Sequence, residues 1–83
     1  MIKEQLEQEL LESGKVEFKL YSLEYTIELS NEQYVIYANF YKEKKITYKS
    51  LQELLNNYMI YNESIMDNIN KVIILDAGDK YDK

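Results

Sequence analysis

Any active site in this chain would have to be assembled from Asp, Glu, Lys, Tyr and Ser. Its 83 residues include no His, Cys, Pro, Trp or Arg. Without Cys there is no disulfide, no thiolate nucleophile and no Cys-based zinc site. Without His, the side chain that titrates near neutral pH and most often ligates metals is missing. Without Arg there is no bidentate clamp for phosphate or carboxylate. Two carboxylates can hydrolyse a glycoside, but they need a cleft that a chain of about 80 residues seldom supplies. The expectation is a non-enzymatic protein with no catalytic residues, no cofactor, no metal site and no small-molecule substrate. Asp76-Ala77-Gly78-Asp79 has acid and glycine but lacks the ligand spacing of an EF-hand loop, and it reads as part of a tail.

What remains is surface chemistry. Nine residues are Tyr, a residue type that supplies large rigid contact area at low entropic cost. Tyr25, Tyr34 and Tyr58 read as core rings with the hydroxyl at the rim. Tyr21, Tyr37, Tyr41 and Tyr48 are expected to share the sheet face opposite the helices and to form an aromatic partner-binding patch.

Charge supplies two further candidates. The net charge is -5, and residues 1–32 carry three Lys against eight Glu. Glu4, Glu7, Glu12, Glu17, Glu24 and Glu28 could display a carboxylate row that imitates a phosphate backbone. Residues 33–49 reverse the balance, with four Lys against one Glu. There Lys42, Lys44, Lys45 and Lys49 alternate with tyrosines on a hairpin that could track single-stranded nucleic acid while rings stack on bases. The bland alternatives are a solvated acidic face and a lysine-protected strand edge.

These residues must be placed by a small number of elements. Ile2, Leu6 and Leu10 recur at i, i+4, i+8 and predict a helix over 2–12, ended by Ser13-Gly14. Leu11 lies about 140° from that stripe and should be partly exposed. From Lys15 the period becomes two: Val16, Phe18 and Leu20 share one face. The next apolar set, Leu23, Tyr25, Ile27 and Leu29, has the opposite parity, so a turn or a bulge must absorb one residue near 21–24. The absence of Gly, Asn and Pro there favours the bulge. Ser30-Asn31-Glu32 is a turn. Tyr34 to Tyr41 follows as a strand, with Ile36, Ala38 and Phe40 toward the core and Val35, Tyr37, Asn39 and Tyr41 away from it. Residues 42–45 read as the hairpin connection to a short return strand at Ile46–Tyr48.

Ser50-Leu51-Gln52-Glu53 is a capping box opening a helix over about 51–59. A short helical turn follows near 62–69, carrying Ile65, Met66 and Ile69, and Lys71–Leu75 is a strand candidate. The predicted fold class is therefore α+β: an N-terminal helix, an antiparallel sheet of three or four strands, and a C-terminal helix plus a short helix or turn, with all helices on one sheet face. Residues 1–75 form the single domain and residues 76–83 a flexible tail.

The helix–three-strand–helix order resembles the double-stranded-RNA-binding domain, whose second helix begins with a basic cluster. Here that helix begins Ser50-Leu51-Gln52-Glu53, with no Lys until Lys71, and the departure falls on the phosphate-gripping positions. The family is rejected. In size, acidity and element order the chain also resembles small phage-encoded inhibitors such as some anti-CRISPR proteins. That resemblance implies a partner whose nucleic-acid site the acidic surface would occupy.

The preferred expectation is an acidic interaction domain that binds another protein, or a second copy of itself, through tyrosines. A nucleic-acid mimic is the first alternative and a weak single-strand binder the second; nucleic acid is not the expected partner. No stretch approaches the roughly 20 apolar residues of a membrane span, and the N-terminus lacks the plan of a signal peptide. The expected location is cytoplasmic. Abundant Lys, Asn, Ile and Tyr without Arg point to an AT-rich bacterial or phage genome.

Overall fold

The computed structural model describes residues 2–75; the predicted tail over 76–83 lies outside the described residues. Helix α1 (Ile2–Ser13) leads into four strands, β1 (Lys15–Leu20), β2 (Leu23–Ser30), β3 (Gln33–Ala38) and β4 (Tyr41–Tyr48). Helix α2 (Leu51–Asn57), a minimal hairpin of β5 (Met59–Ile60) and β6 (Glu63–Ser64), a 3-10 helix (Met66–Lys71) and β7 (Ile73–Leu75) complete it. The main sheet has five strands in the order β4-β3-β2-β1-β7, all antiparallel. The α+β class holds, but the sheet is larger than the three or four strands expected. The count reaches five because the 15–30 stretch forms two strands and the strand candidate at Lys71–Leu75 does form, as β7 paired with β1.

The change of parity between Leu20 and Leu23 is made by a turn, not by the bulge favoured above. Leu20 pairs with Leu23 across a two-residue connection. Residues paired across a hairpin share a face, and these two are three apart in sequence, so parity must switch. Tyr21 and Ser22 both take positive φ, at 56° and 67°, as a type I′ turn requires. The same geometry recurs at Asn31-Glu32 and Tyr61-Asn62. In each case antiparallel pairing holds non-glycine residues in a region they disfavour.

One face of the sheet is the core. The rows Val16–Ile27–Ile36–Ile46 and Phe18–Tyr25–Ala38 run across it in register. They meet Leu6 and Leu10 of α1, Leu51, Leu54 and Leu55 of α2, and Ile60, Ile65 and Val72, in one cluster. The helices thus cover one sheet face, as expected. Gly14, at φ 74°, ends α1: its N–H donates to the Leu10 carbonyl at 2.8 Å, and its own carbonyl accepts from the Leu29 N–H at 2.9 Å. The capping box of α2 also forms, with the Glu53 N–H donating to Ser50 Oγ at 3.0 Å.

Four further expectations are corrected. The β3–β4 turn is Asn39-Phe40, so residues 42–45 are not the hairpin connection but part of β4. They form a bulge: Ile36 pairs with Ile46 but Ala38 with Tyr41, so residues 42–45 together stand opposite Tyr37 alone. Phe40 leaves the core and is 68% exposed. Helix α2 stops at Asn57, so Met59 lies exposed in β5, and the short helix begins at Met66 after a hairpin not foreseen.

Candidate functional site

The large apolar side chains left exposed among the described residues are Leu11, Phe40, Tyr41, Met59, Tyr61 and Ile73. Four of them, Phe40, Tyr41, Met59 and Tyr61, come from the β3–β4 turn and the β5–β6 hairpin, and the first three line one groove with Tyr58. Two local features bring them there. The short Asn39-Phe40 turn carries Phe40 to the sheet's tip, where no helix covers it. On the other side, the cap of α2 turns the chain extended: Tyr58 has φ −76° and ψ 119°, and its N–H donates to the Leu54 carbonyl at 3.0 Å. Asn57 Nδ2 donates to the Glu53 carbonyl at 2.8 Å and holds the same end. Residues 58–60 therefore run past the end of β3 and the start of β4.

The groove has two compartments that share Lys44, Tyr58 and Met59. The first, of about 140 Å³, has Tyr25 and Ala38 in its floor, with Phe40 and Tyr41 on one wall and Tyr58, Met59 and Ile60 on the other. The second, of about 280 Å³, continues along β4 past Ile46 and Tyr48 to Asn57. Tyr25 anchors the floor, stacked on Phe18 with centroids 5.5 Å apart. The band extends beyond the groove through Tyr61, which meets the Tyr21 ring edge-on at 5.5 Å. The Tyr21 hydroxyl donates to Glu63 Oε1 at 3.0 Å, and Asn68 Nδ2 donates to the same oxygen at 2.7 Å.

Burial governs the titration of the groove's phenols. Burial, reinforced by Tyr58 and Tyr61, pushes the Tyr25 phenol up to about 12. Burial likewise raises Tyr58 and, with Glu53, Tyr48. These phenols stay neutral at physiological pH and offer apolar ring faces and hydroxyl donors. Hydrogen bonds from Asn68 and then Tyr21 hold Glu63 below the usual carboxylate range. Lys44 is the charged side chain lining both compartments. Such a groove can take an apolar or aromatic group that carries negative charge beside it.

The structure divides the four predicted tyrosines. Tyr41 and Tyr48 line the groove and Tyr21 lies at the end of its aromatic band, all toward the helix side. Their predicted common face opposite the helices does not form. Only Tyr37 is on that face, and it is 7% exposed: its hydroxyl donates to Glu28 Oε2 at 2.9 Å, and Lys45 Nζ lies 5.2 Å from its ring centroid. Beside it, Thr26 Oγ1 donates to Asn39 Oδ1 at 2.6 Å. Tyr37 is part of a folded polar network, not an open patch.

The charged sets are also redistributed. Lys44 joins the groove and Lys45 the Tyr37 ring; Lys42 is exposed on the β4 bulge, and Lys49 follows β4, its backbone N–H bonded to Glu53 Oε1. Glu4, Glu7 and Glu12 lie on α1, over the helix side, whereas Glu17, Glu24 and Glu28 are on the opposite sheet face. There Lys15 stands opposite Glu28 and Lys19 opposite Glu24. The six acids form no single row, and half of them alternate with lysine.

Sequence reading missed Phe40, Met59 and Tyr61 as surface candidates, whereas Tyr58 packs partly buried against the core as expected while also lining the groove. The one usable signal was Asn39, a turn-former within an otherwise β-prone run. Among the described residues there is no group of three or more acidic side chains placed to hold a metal ion, and no helix is long and apolar enough to cross a membrane. Comparison with protein-family models, with curated proteins and with solved structures finds no match to this chain.

Proposed function

We propose that this chain is a non-enzymatic protein-interaction domain whose contact surface is the aromatic groove between β4 and the α2–β5 segment. The observation that carries this reading is the gathering of Phe40, Tyr41, Met59 and Tyr61, all more than half exposed, in one part of a small acidic protein. Scattered single apolar residues are ordinary on a surface, but a contiguous aromatic patch is costly in water and marks a contact site. Tyrosine, phenylalanine and methionine are also the types enriched at interface cores. The groove departs from the interface expected above by lying at the β4 side of the helix layer rather than on the open sheet face.

The test is capture of partners from the native host by the wild type, by Phe40→Ser/Tyr41→Ser and by Tyr37→Phe. The groove variant should lose every partner that wild type retains, and Tyr37→Phe should keep them. Equal capture by the groove variant overturns the reading.

A second reading rests on Lys42 and Lys44 beside Phe40 and Tyr41, which could hold single-stranded nucleic acid by stacking and charge. Binding to an oligothymidylate that weakens steeply with salt would favour it over a protein partner. Acidic mimicry of nucleic acid has less support, because the carboxylates are divided between two faces.

A further inference from the structure

This inference rests on the groove being a contact surface and names its occupant. The groove is largely apolar, with Lys44 lining both compartments and Lys42 exposed two residues earlier in the same strand, in a chain whose net charge is -5. Its natural complement is therefore an apolar knob framed by carboxylates. The chain itself presents one. Leu11 is 70% exposed, the most exposed large apolar residue described. On a helical wheel Glu4, Glu7 and Leu11 fall within about 60° of one another, and Glu12 follows directly, with Gln8 Nε2 bonded to it at 3.1 Å. The face of α1 away from the core is thus acidic around a single leucine.

We infer that the groove of one copy is filled by Leu11 on the acidic α1 of a second copy, with Glu7 and Glu12 set against Lys42 and Lys44. The 140 Å³ compartment is of the size that in protein interiors admits a benzene-sized group, which leaves room for a leucine side chain. The contact cannot form within one molecule. Helix α1 packs against β1, β2 and the 3-10 helix, whereas the groove lies along β4, at the far edge of the β4-β3-β2-β1-β7 sheet. Knob and groove are different patches, so copies join either reciprocally about a two-fold axis, each α1 in the other's groove, or head to tail in a longer assembly.

Charge-swapped variants test this by sedimentation from about 10 µM to about 1 mM, the range in which weak association becomes visible. Wild type should associate, and Leu11→Ser should weaken that association at least tenfold. Glu7→Lys/Glu12→Lys and Lys42→Glu/Lys44→Glu should each be monomeric alone and associate when mixed, because mixing restores opposite charge at every contact. All these positions are exposed, and circular dichroism checks that each variant is folded. A wild type that stays monomeric throughout overturns the inference, as does a charge-swapped mixture that fails to associate. Association that survives Leu11→Ser but is lost in Tyr41→Ser also overturns it while leaving the groove intact as a contact surface. Failure of the groove reading has a different signature: Tyr41→Ser then retains every host partner.

Discussion

Tyr58 stands edge-on to Tyr25, with ring centroids 6.2 Å apart and planes at 80°. That contact joins the cap of α2 to the middle of β2, and it closes the inner end of the aromatic groove. Edge-to-face pairs contribute about 0.5–1.5 kcal/mol beyond the area they bury. The groove is therefore built from rings that also stabilise the fold.

The phenols make stability fall at alkaline pH. Tyr25 is pushed up to about 12, with burial the main cause, and Tyr21, Tyr37, Tyr48 and Tyr58 are raised as well. A group whose folded value exceeds its unfolded value of about 10 contributes fully below that pH. The contribution is lost as pH rises through the folded value. Tyrosinate absorbance and circular dichroism, followed on one pH ramp, should show secondary structure persisting past pH 10 and collapsing together with the late phase of tyrosine ionisation.

Helix α2 depends on its cap and on its buried face. Ser50→Ala removes the acceptor for the Glu53 N–H and should cost about 1 kcal/mol. Leu54 is fully buried, and Leu54→Ala should cost about 2–5 kcal/mol through lost burial and a residual cavity. Chemical denaturation of both variants measures the two effects.

The tight turns leave stability to be gained. Glu32 holds φ 64° next to Asn31 at 54°, and the left-handed region costs most non-glycine residues about 1 kcal/mol or more. Glu32→Gly completes the Asn-Gly pair that type I′ turns favour. It should raise stability by about 1 kcal/mol, read as a rise in melting temperature of roughly 4–8 °C for a chain of this size.

Tyr37 should behave as a structural residue. Tyr37→Phe removes the hydrogen bond to Glu28 and should cost about 0.5–1.5 kcal/mol, with amide shifts in a nitrogen–proton correlation spectrum confined to the open sheet face around Thr26 and Asn39. Shifts that extend to Tyr58 and Met59 would contradict the separation of the two sites.

Much of the local structure was legible in residue order alone. The i, i+4, i+8 stripe of α1, the capping box at Ser50, the alternation in β1 and β2 and the switch of parity after Leu20 all follow from rules acting over a few residues, and each element forms where those rules put it. The absence of Cys, His and Arg is likewise a property of the chain before it folds. What kind of connection absorbs the parity switch is not local. Tyr21-Ser22 carries none of the Gly, Asn or Asp that type I′ turns favour, and both residues are held at positive φ by the pairing of Leu20 with Leu23, an energy that exists only once two strands meet.

The same distinction separates the predicted tyrosine patch from the groove. Alternation correctly places Val35 and Tyr37 opposite Ile36 and Ala38, but continuing it to Tyr41 assumes that the strand does not end. The turn at Asn39-Phe40 resets the alternation, so Tyr41 pairs with Ala38 and shares its face, and Phe40 is left at the tip. Met59 and Tyr58 complete the groove only because α2 stops at Asn57 and its cap directs the chain past the end of the sheet. Residue spacing determined which side chains were available for a contact surface; which of them stand together was decided by where three turns end their strands and by which sheet edge α2 packs against.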